Sequence, residues 1–383
     1  MNERSLMESF RIRGFKKFKD IEFDNLGRIN LFLGNNNTGK TTILEAVQIY
    51  AYGENFLSAI QKTILRNMMI MNKFDLTEKL LSIFYNQHEK PFRFSFKAET
   101  ASNNRYNFEY IFNPGSILAD FNPILMGQFG DNESKCESEE NDTTFIGGWR
   151  VNSNLPKQLQ LIGTDKDSFP IELNYPLYKS VQSNNKDTFI LSRFVDIMSH
   201  RNQKENLKIF SFLKRQGLLD SFLKELSKNF THLKEIDTIP YPDGSISAVN
   251  IRIKDGKLLP LYRFGDGMRR WYNILGGMIV YQNAIHCIEE IDSTFHPNAQ
   301  PELVKNIIYY AKKYYNQIFM TSHSLEFVDE FLEVLYGPDG NLEDDCVRVI
   351  TLRNDEKTGT VQKRVLTGRE AYEAREKYKL ELR

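Results

Sequence analysis

Residues 34–41 read Gly34-Asn35-Asn36-Asn37-Thr38-Gly39-Lys40-Thr41, and a second threonine, Thr42, follows. The stretch fits G-x-x-x-x-G-K-[ST], the loop whose backbone N–H groups cradle the phosphates of a nucleotide. The apolar run before it predicts a strand, and apolar residues at helical spacing after it predict a helix. In that setting we expect Lys40 to reach the β- and γ-phosphates and the Thr41 hydroxyl to ligate Mg²⁺.

The composition is that of an ordinary globular protein. Of the 383 residues, 41% are hydrophobic and 26% are charged, and 50 basic residues balance 50 acidic ones. A protein that mainly coats nucleic acid is usually more basic, so we expect any DNA contact to be local. Three distant cysteines, no signal peptide and no apolar run of membrane-spanning length predict a cytoplasmic protein without a membrane partner.

The first part of the chain predicts antiparallel strands around the phosphate loop. Residues 8–33 alternate apolar and polar side chains, and residues 90–112 repeat that alternation as a hairpin. Basic residues interleave with the apolar ones of the first strands. A solvated strand face explains them, and the alternative places Lys16 or Lys17 near the ribose or phosphates of the nucleotide.

The middle of the chain predicts an inserted α+β lobe, residues 113–260, between two halves of an α/β domain, residues 1–112 and 261–383. Its least regular part, residues 113–185, contains an acidic segment, residues 130–144, that we interpret as a solvated loop. Residues 187–233 are predicted to be helical. Residues 247–262 are predicted to form a hairpin that turns at Asp255-Gly256.

A second glycine-containing turn opens a helix after this lobe. It reads Arg263-Phe264-Gly265-Asp266-Gly267-Met268-Arg269-Arg270. A helix N-terminus attracts anions, and Asp266 is placed to cap this one. Positive charge in the first turn is unfavourable for the helix dipole, so Arg269 and Arg270 indicate a phosphate or carboxylate partner. A hairpin-to-helix loop with surface arginines explains the same residues equally well.

Two adjacent carboxylates end the next apolar run, His286-Cys287-Ile288-Glu289-Glu290. Acids at the end of a strand suit nucleotide hydrolysis. Glu289 is expected to hold Mg²⁺ through water and Glu290 to orient or deprotonate the attacking water. The turn that follows contains Asp292, Ser293 and His296, and we favour a structural or interface role for this histidine over a metal role.

A further buried strand is predicted to end in Ser322-His323-Ser324. His323 is placed to hydrogen-bond the γ-phosphate or the attacking water. A Ser/His hydrolase is the competing interpretation, but the chain contains no G-x-S-x-G elbow.

The spacing of these segments separates the classes of phosphate-loop protein. Small GTPases carry their second acidic motif close to the loop, whereas about 250 residues separate Lys40 from Glu289. The chain resembles the ABC/SMC-type ATPases, and within them the OLD-like and RecF-like stand-alone ATPases of prokaryotes. The resemblance rests on the segments FRIRGFKKFKDIEF, GNNNTGKTTILEA, FGDGMRRW, EEIDSTFHP and QIFMTSHS and on the closing ELR.

The resemblance implies an ABC/SMC-type ATPase head that dimerises around two ATP molecules, each site being completed by the other subunit. It assigns Walker A to residues 34–42 and Walker B to Glu289 and Glu290. The signature, which acts in trans, is assigned to Gly265, Asp266, Gly267, Arg269 and Arg270. The D-loop is assigned to Asp292, Ser293 and His296, and the switch histidine is His323. Two residues depart from the family pattern. Asp266 would repel a γ-phosphate, and the first Walker B acid is Glu289 rather than an aspartate. Gln87 is the candidate for the Q-loop glutamine.

The leading hypothesis is therefore an ATPase that senses or regulates within a prokaryotic anti-phage defence system. OLD-like nucleases carry a TOPRIM domain for which the tail after His323 is too short, so we expect a separate effector such as a nuclease. The alternative is a RecF-like DNA-repair ATPase, and a third is an ATP-gated scaffold with little turnover. Duplex DNA should stimulate ATP hydrolysis strongly only if the protein acts in repair.

We predict that Lys40→Ala abolishes ATP hydrolysis, because the variant lacks the amine that would hold the β- and γ-phosphates. Phosphate release by the purified wild type and variant measures the effect. A variant that retained wild-type activity would show that the nucleotide is hydrolysed elsewhere.

Overall fold

The computed structural model describes residues 7–53, 59–60, 81–85, 92–101, 105–114, 144–152, 158–164, 170–175, 190–239, 248–338, 340, 346–355 and 357–378. For residue 106 and for the described residues from 112 to 175, only the backbone is described. Gln87 and residues 130–143 of the predicted acidic loop lie outside the described residues.

The central sheet consists of β3 Ile29–Gly34, β9 Ser192–Val195, β13 Ile285–Ile288, β14 Gln317–Thr321, β15 Val347–Asn354 and β16 Val361–Thr367. Their order is β16-β15-β3-β14-β13-β9. The pairs from β15 to β9 are parallel, and β16 joins β15 in antiparallel direction. Every residue of β3, β13 and β14 is buried, which is typical of parallel strands covered on both faces.

A second sheet is antiparallel and carries the N-terminal strands. It consists of β1 Met7–Phe15, β2 Phe18–Phe23, β4 Phe92–Thr100, β5 Arg105–Pro114, β6 Thr144–Asn152, β7 Gln158–Thr164 and β8 Pro170–Tyr175. The order is β2-β1-β4-β5-β6-β7-β8. A third, small sheet is formed by β10 Leu233–Asp237, β11 Asn250–Ile253 and β12 Leu258–Pro260.

The helices of the described part are α1 Lys40–Tyr52, α2 Gln203–Arg215, α3 Leu219–Asn229, α4 Asp266–Val280, α5 Gln300–Lys313, α6 Leu325–Tyr336 and α7 Gly368–Tyr378. None of them is long and apolar enough to cross a membrane.

Two apolar cores lie on the two faces of the central sheet. On one face, α1 and the aromatic residues of β1, β4 and β5 pack against Phe32 and Phe319, whose rings stack at 6.3 Å. On the other face, α4, α5 and α6 pack against Leu31, Leu33 and Met320. Alternate residues of each strand therefore serve different cores, and α1 is held between the two large sheets.

The predicted α/β class is confirmed, as are the N-terminal strands and the two hairpins. Two predictions of local structure are wrong. Residues 192–195, predicted to be helical, form β9, because a short apolar run has no decisive period and here pairs with β13. The region predicted to be least regular, residues 113–185, contains three strands, β6 to β8, that extend the antiparallel sheet.

Buried amide side chains fix the amino-terminal edge of the central sheet. Gln317 accepts from the backbone N–H of Met7 at 2.9 Å and donates to the carbonyls of Met7 at 2.8 Å and Gly27 at 2.9 Å. Asn30 donates to the carbonyls of Gly27 at 2.8 Å and Ile318 at 3.3 Å. These bonds connect the start of β1 to β3 and β14, so the two large sheets keep a fixed relation.

We predict that Gln317→Leu lowers the free energy of unfolding by about 2–4 kcal/mol, because buried polar groups of Met7 lose their side-chain partner. Urea unfolding measures the change. Gln362→Leu on exposed β16 is the control and should cost less than about 0.5 kcal/mol. Equal midpoints for the two variants would contradict the prediction.

Candidate active site

The phosphate loop connects the end of β3 to the start of α1. Gly34 has φ of 139°, and a Cβ there would lie 2.3 Å from the carbonyl oxygen of Leu352 on β15. Gly39 has φ of 100° and leaves no room for a Cβ beside the ring of Phe18. Both glycines are therefore required by the backbone path. Asn35, Asn36 and Asn37 are exposed at the tip, while Thr38 is buried and donates to the carbonyl of Asn35 at 2.9 Å.

Lys40, the first residue of α1, folds back over this loop. Its Nζ donates to the carbonyl oxygens of Gly34 at 2.6 Å and Asn35 at 2.9 Å. Burial lowers the pKa of Lys40 to about 8, nearby Glu290 opposes this shift, and Lys17 adds to it. The amine is thus mostly protonated at neutral pH and lies at the N-terminus of a helix, where anions are favoured.

Thr41 connects the loop to the acids after β13. Its Oγ1 donates to Oε1 of Glu289 at 2.7 Å, and Thr42 follows half-buried. A hydroxyl and a carboxylate are the oxygen ligands that Mg²⁺ prefers, and this ion is usually held by one or two protein groups together with substrate phosphates. Thr41 and Glu289 therefore fit a magnesium–nucleotide complex.

Glu290 adopts a left-handed backbone conformation, with φ of 45°. Its N–H donates to Oγ1 of Thr321 at 2.9 Å, and its carboxylate Oε1 lies 3.6 Å from Nε2 of His323. About a third of each of these two side chains is exposed. Strained backbone of this kind persists where neighbours hold it and often occurs at functional sites. The carboxylate and the imidazole lie together at the carboxyl edge of the central sheet, after β13 and β14.

Arg270 is fully buried and binds within its own chain. Its Nη2 donates to the carbonyl oxygens of Glu289 at 2.5 Å and Glu290 at 2.8 Å, and its Nη1 donates to Oγ of Ser293 at 2.7 Å. Burial lowers the pKa of Arg270 to about 10, and Asp292 is the strongest of the acids that oppose the shift. The guanidinium thus binds the main chain of both acids and the side chain of Ser293 in the predicted D-loop. The predicted contact with a second subunit therefore does not describe the Arg270 side chain.

Asp266, at the N-terminus of α4, differs from its predicted role as a helix cap. Asp266 is the first helical residue rather than a side-chain cap. Its carboxylate binds Nε2 of His200 at 3.1 Å, Arg201 at 3.2 Å and the guanidinium of Arg269. Burial is the main reason that the pKa of His200 falls to about 4, so this imidazole is neutral at pH 7. Two arginines therefore outweigh the Asp266 charge that was expected to repel a phosphate.

Two glycines flank Asp266. Gly265 is exposed, with open space where a Cβ would lie. A Cβ on Gly267 would lie 2.8 Å from the carbonyl oxygen of Thr294, so Gly267 permits close approach of α4 to the D-loop.

The predicted D-loop begins two residues after Glu290. The N–H of Ser293 donates to the carbonyl of Glu290 at 2.9 Å, and Oδ1 of Asp292 is buried with no hydrogen-bond partner among the described residues. Nδ1 of His296 accepts from the N–H of Asn298 at 3.3 Å and caps the short turn Pro297–Ala299. This contact agrees with the structural role favoured for His296.

Of the two lysines weighed near the nucleotide, Lys17 is the one that contacts the loop. Its Nζ donates to the carbonyl of Asn37 and to Oδ1 of Asn354, the latter at 3.1 Å. Lys16 instead pairs with buried Glu45 of α1. Lys17 therefore lies over the tip of the phosphate loop, whereas Lys16 connects the turn between β1 and β2 to α1.

Asp196 is a candidate that sequence reasoning missed. It follows β9 directly, and the N–H of Glu289 donates to the carbonyl of Val195 at 2.8 Å. Because carboxyl ends of parallel strands meet at one edge, Asp196 lies at the same edge as Glu289. Its Oδ1 binds the N–H of Met198 at 3.0 Å and Oγ of Ser199 at 2.7 Å. An acid after the apolar pair Phe194-Val195 was the available signal, and the helical interpretation concealed it.

We predict that a nucleoside triphosphate binds with uptake of a proton above pH 8. Bound phosphates raise the pKa of Lys40 from about 8, so binding is strongest below that pH and weakens as the pH rises through it. Calorimetry near pH 8.5 in buffers of different ionisation enthalpy should show more than about half a proton taken up per nucleotide, and much less near pH 7. Lys257→Ala, at an exposed hairpin, should leave the uptake unchanged. Binding without uptake near pH 8.5 would contradict the assignment of Lys40.

Solved structures similar to this fold include heads of SMC proteins. The SMC head domain from Thermotoga maritima aligns over 94% of this chain and 98% of its own, with 10% identity and a TM-score of 0.41. An SMC head bound to the C-terminal winged-helix domain of ScpA aligns over 95% of this chain and 99% of its own, with 11% identity and a TM-score of 0.47. Because these scores lie below 0.5, the fold class rests on the sheet order described above.

Similarity in sequence extends over most of the chain. An "ATP/GTP phosphatase" of Helicobacter pylori is 22% identical over 353 residues, 87% of this chain and 90% of that protein. A protein of Methanocaldococcus jannaschii is 27% identical over 85 residues, 22% of this chain and 38% of that protein. Residues 29–329 match the family described as "AAA domain, putative AbiEii toxin, Type IV TA system". This match runs from β3 into α6 and includes the phosphate loop, both acids and His323, so the chain belongs to that family and is an ATPase.

Proposed function

We propose that the chain hydrolyses ATP at a site shared by two copies of itself, and that it is the regulatory ATPase of an anti-phage defence system with a separate effector. The hydrolytic part rests on one observation. Two pairs of side chains lie at the carboxyl edge of the central sheet, where α1 begins: the Thr41 hydroxyl is hydrogen-bonded to Glu289, and Glu290 lies beside His323.

The residues divide the work of hydrolysis between binding and proton transfer. Lys40 and the N-terminus of α1 bind the phosphates, and Thr41 with Glu289 hold Mg²⁺, which when bound neutralises charge on the β- and γ-oxygens. Glu290 accepts a proton from the attacking water. The oxygen of that water forms the new bond to the γ-phosphorus, while the bond from the γ-phosphorus to the oxygen that bridges the β- and γ-phosphates breaks. His323 orients that water or the γ-phosphate.

In our proposal a second copy of the chain supplies further positive charge to the bound phosphates, in addition to Lys40. The N-terminus of α4 presents exposed Gly265. Half-exposed Arg201 and the side chain of Arg269, 13% of which is exposed, lie on either side of the Asp266 carboxylate. One carboxylate against two guanidiniums leaves a net positive surface at a helix N-terminus, which suits an anion. The phosphates bound on the facing copy are that anion in our proposal, and because each copy carries both halves, the interface is self-complementary.

The biological part of the proposal is supported by relatives and not by geometry. The Helicobacter pylori protein carries the name "ATP/GTP phosphatase", so GTP is a second substrate to test. The family description refers to a toxin and a toxin–antitoxin system, which accords with a role in defence. The effector, such as a nuclease, would be a separate chain.

We predict that Glu290→Gln traps an ATP-bound dimer or larger assembly. The amide cannot accept the water proton, so hydrolysis should fall by at least about 100-fold while ATP still binds. Light scattering with and without ATP measures the mass, and Glu373→Gln on exposed α7 is the control. A variant that stays monomeric with ATP would refute the shared site, whereas undiminished hydrolysis would refute the role of Glu290.

A further inference from the structure

A tyrosine- and lysine-rich segment lies apart from the active site. Residues 309–315 read Tyr309-Tyr310-Ala311-Lys312-Lys313-Tyr314-Tyr315, and no acid occurs between Glu302 and Glu326. The segment covers the last turns of α5 and the residues that follow. We call Lys305, Tyr309, Lys313, Tyr314 and Tyr315 the tyrosine–lysine patch.

The outward face of α5 displays this patch. Lys305, Tyr309 and Lys313 are four residues apart and therefore lie in one row, about 12 Å long from the first to the last. All three are exposed, and 53% of Tyr309 and 39% of Tyr315 is accessible. The row thus combines accessible rings with positive charge.

Contacts within the patch order its side chains. The amine of Lys313 lies 5.1 Å from the ring centre of Tyr309 and 5.4 Å from that of Tyr314. It also donates to the Tyr309 hydroxyl at 3.1 Å, and this hydrogen bond raises the pKa of Lys313. The rings of Tyr310 and Tyr314 are stacked at 5.8 Å. Among the described residues, neither Lys305 nor Lys313 forms an ion pair with a carboxylate.

The patch lies at the opposite edge of the central sheet from the ATP site. Asn316 follows the patch directly and β14 begins at Gln317, so the patch is at the amino-terminal edge. Glu289 and His323 instead follow the carboxyl ends of their strands. Arg28 adds a further cation there, since its Nη1 donates to the carbonyl of Asn316 at 3.4 Å. A ligand at the patch would leave the ATP site accessible.

We propose that the tyrosine–lysine patch binds single-stranded nucleic acid. The amines of Lys305 and Lys313 meet backbone phosphates, and the accessible faces of Tyr309 and Tyr315 stack on bases. An acidic peptide would use the lysines alone, whereas the exposed rings provide the second interaction that bases require. The overall neutral charge is consistent with a local site of this kind. This binding is additional to the proposed ATP hydrolysis and does not depend on it.

Fluorescence anisotropy with the whole protein tests the proposal. The probes are labelled oligo(dT) and oligo(U) of about twenty nucleotides at low salt, which also separates DNA from RNA as the preferred strand. The test variant is Tyr309→Ala with Lys313→Ala. The control is Tyr85→Ala with Lys257→Ala, at an exposed tyrosine and an exposed lysine elsewhere. Tyr309→Phe retains the ring and serves as the conservative variant.

We expect the test variant to bind at least about tenfold more weakly than the control, with a shallower salt dependence, while Tyr309→Phe binds nearly as the wild type. ATP hydrolysis without nucleic acid should be unchanged in all of them. Absence of wild-type binding at low salt would overturn the proposal, as would equal affinity of test and control variants. Displacement of oligo(dT) by polyglutamate as readily as by unlabelled oligo(dT) would overturn it in favour of an acidic protein partner.

Discussion

The buried guanidinium of Arg270 is the interaction on which the geometry of the site depends. A charge buried without partners would cost several kcal/mol, and oxygen acceptors of Glu289, Glu290 and Ser293 offset that cost. Two of these acceptors are main-chain carbonyls, so α4 holds the backbone of the acids and not their carboxylates. The carboxylates can therefore face Thr41 and His323. The same guanidinium binds the carbonyl of Glu290, whose backbone is left-handed.

Residues whose position follows from local pattern could be predicted from the sequence. The phosphate loop is a contiguous motif, so its strand, turn and helix are determined by neighbours in the chain. Glu289 and Glu290 end an apolar run, which placed them at the edge of a parallel sheet. His323 follows a second such run. Their proximity then follows from the rule that carboxyl ends of parallel strands share an edge.

Features that depend on partners distant in the chain were missed. The strand Ser192–Val195 exists because β13 pairs with it. Four residues are too few for the hydrophobic periodicity to distinguish a strand from a helix. Asp196 was missed for the same reason. The inward direction of Arg270 had a weak signal, because Arg270 and buried Ile274 are four apart on one helix face. The arginine charge favoured a surface position instead, and its acceptors are main-chain atoms that no sequence pattern displays.

The position of β3 in the sheet has a consequence for biosynthesis. Its two neighbours, β14 and β15, come late in the chain, and 288 positions separate Asn30 from Ile318. At the usual speed of translation, roughly 15 to 60 seconds pass between the emergence of β3 and that of its first partner. During that time a strand whose residues are all buried in the folded protein has no sheet to join and is exposed to wrong pairing. The phosphate loop is thus synthesised well before the strands that support it, and during that interval a nascent chain benefits from protection by chaperones.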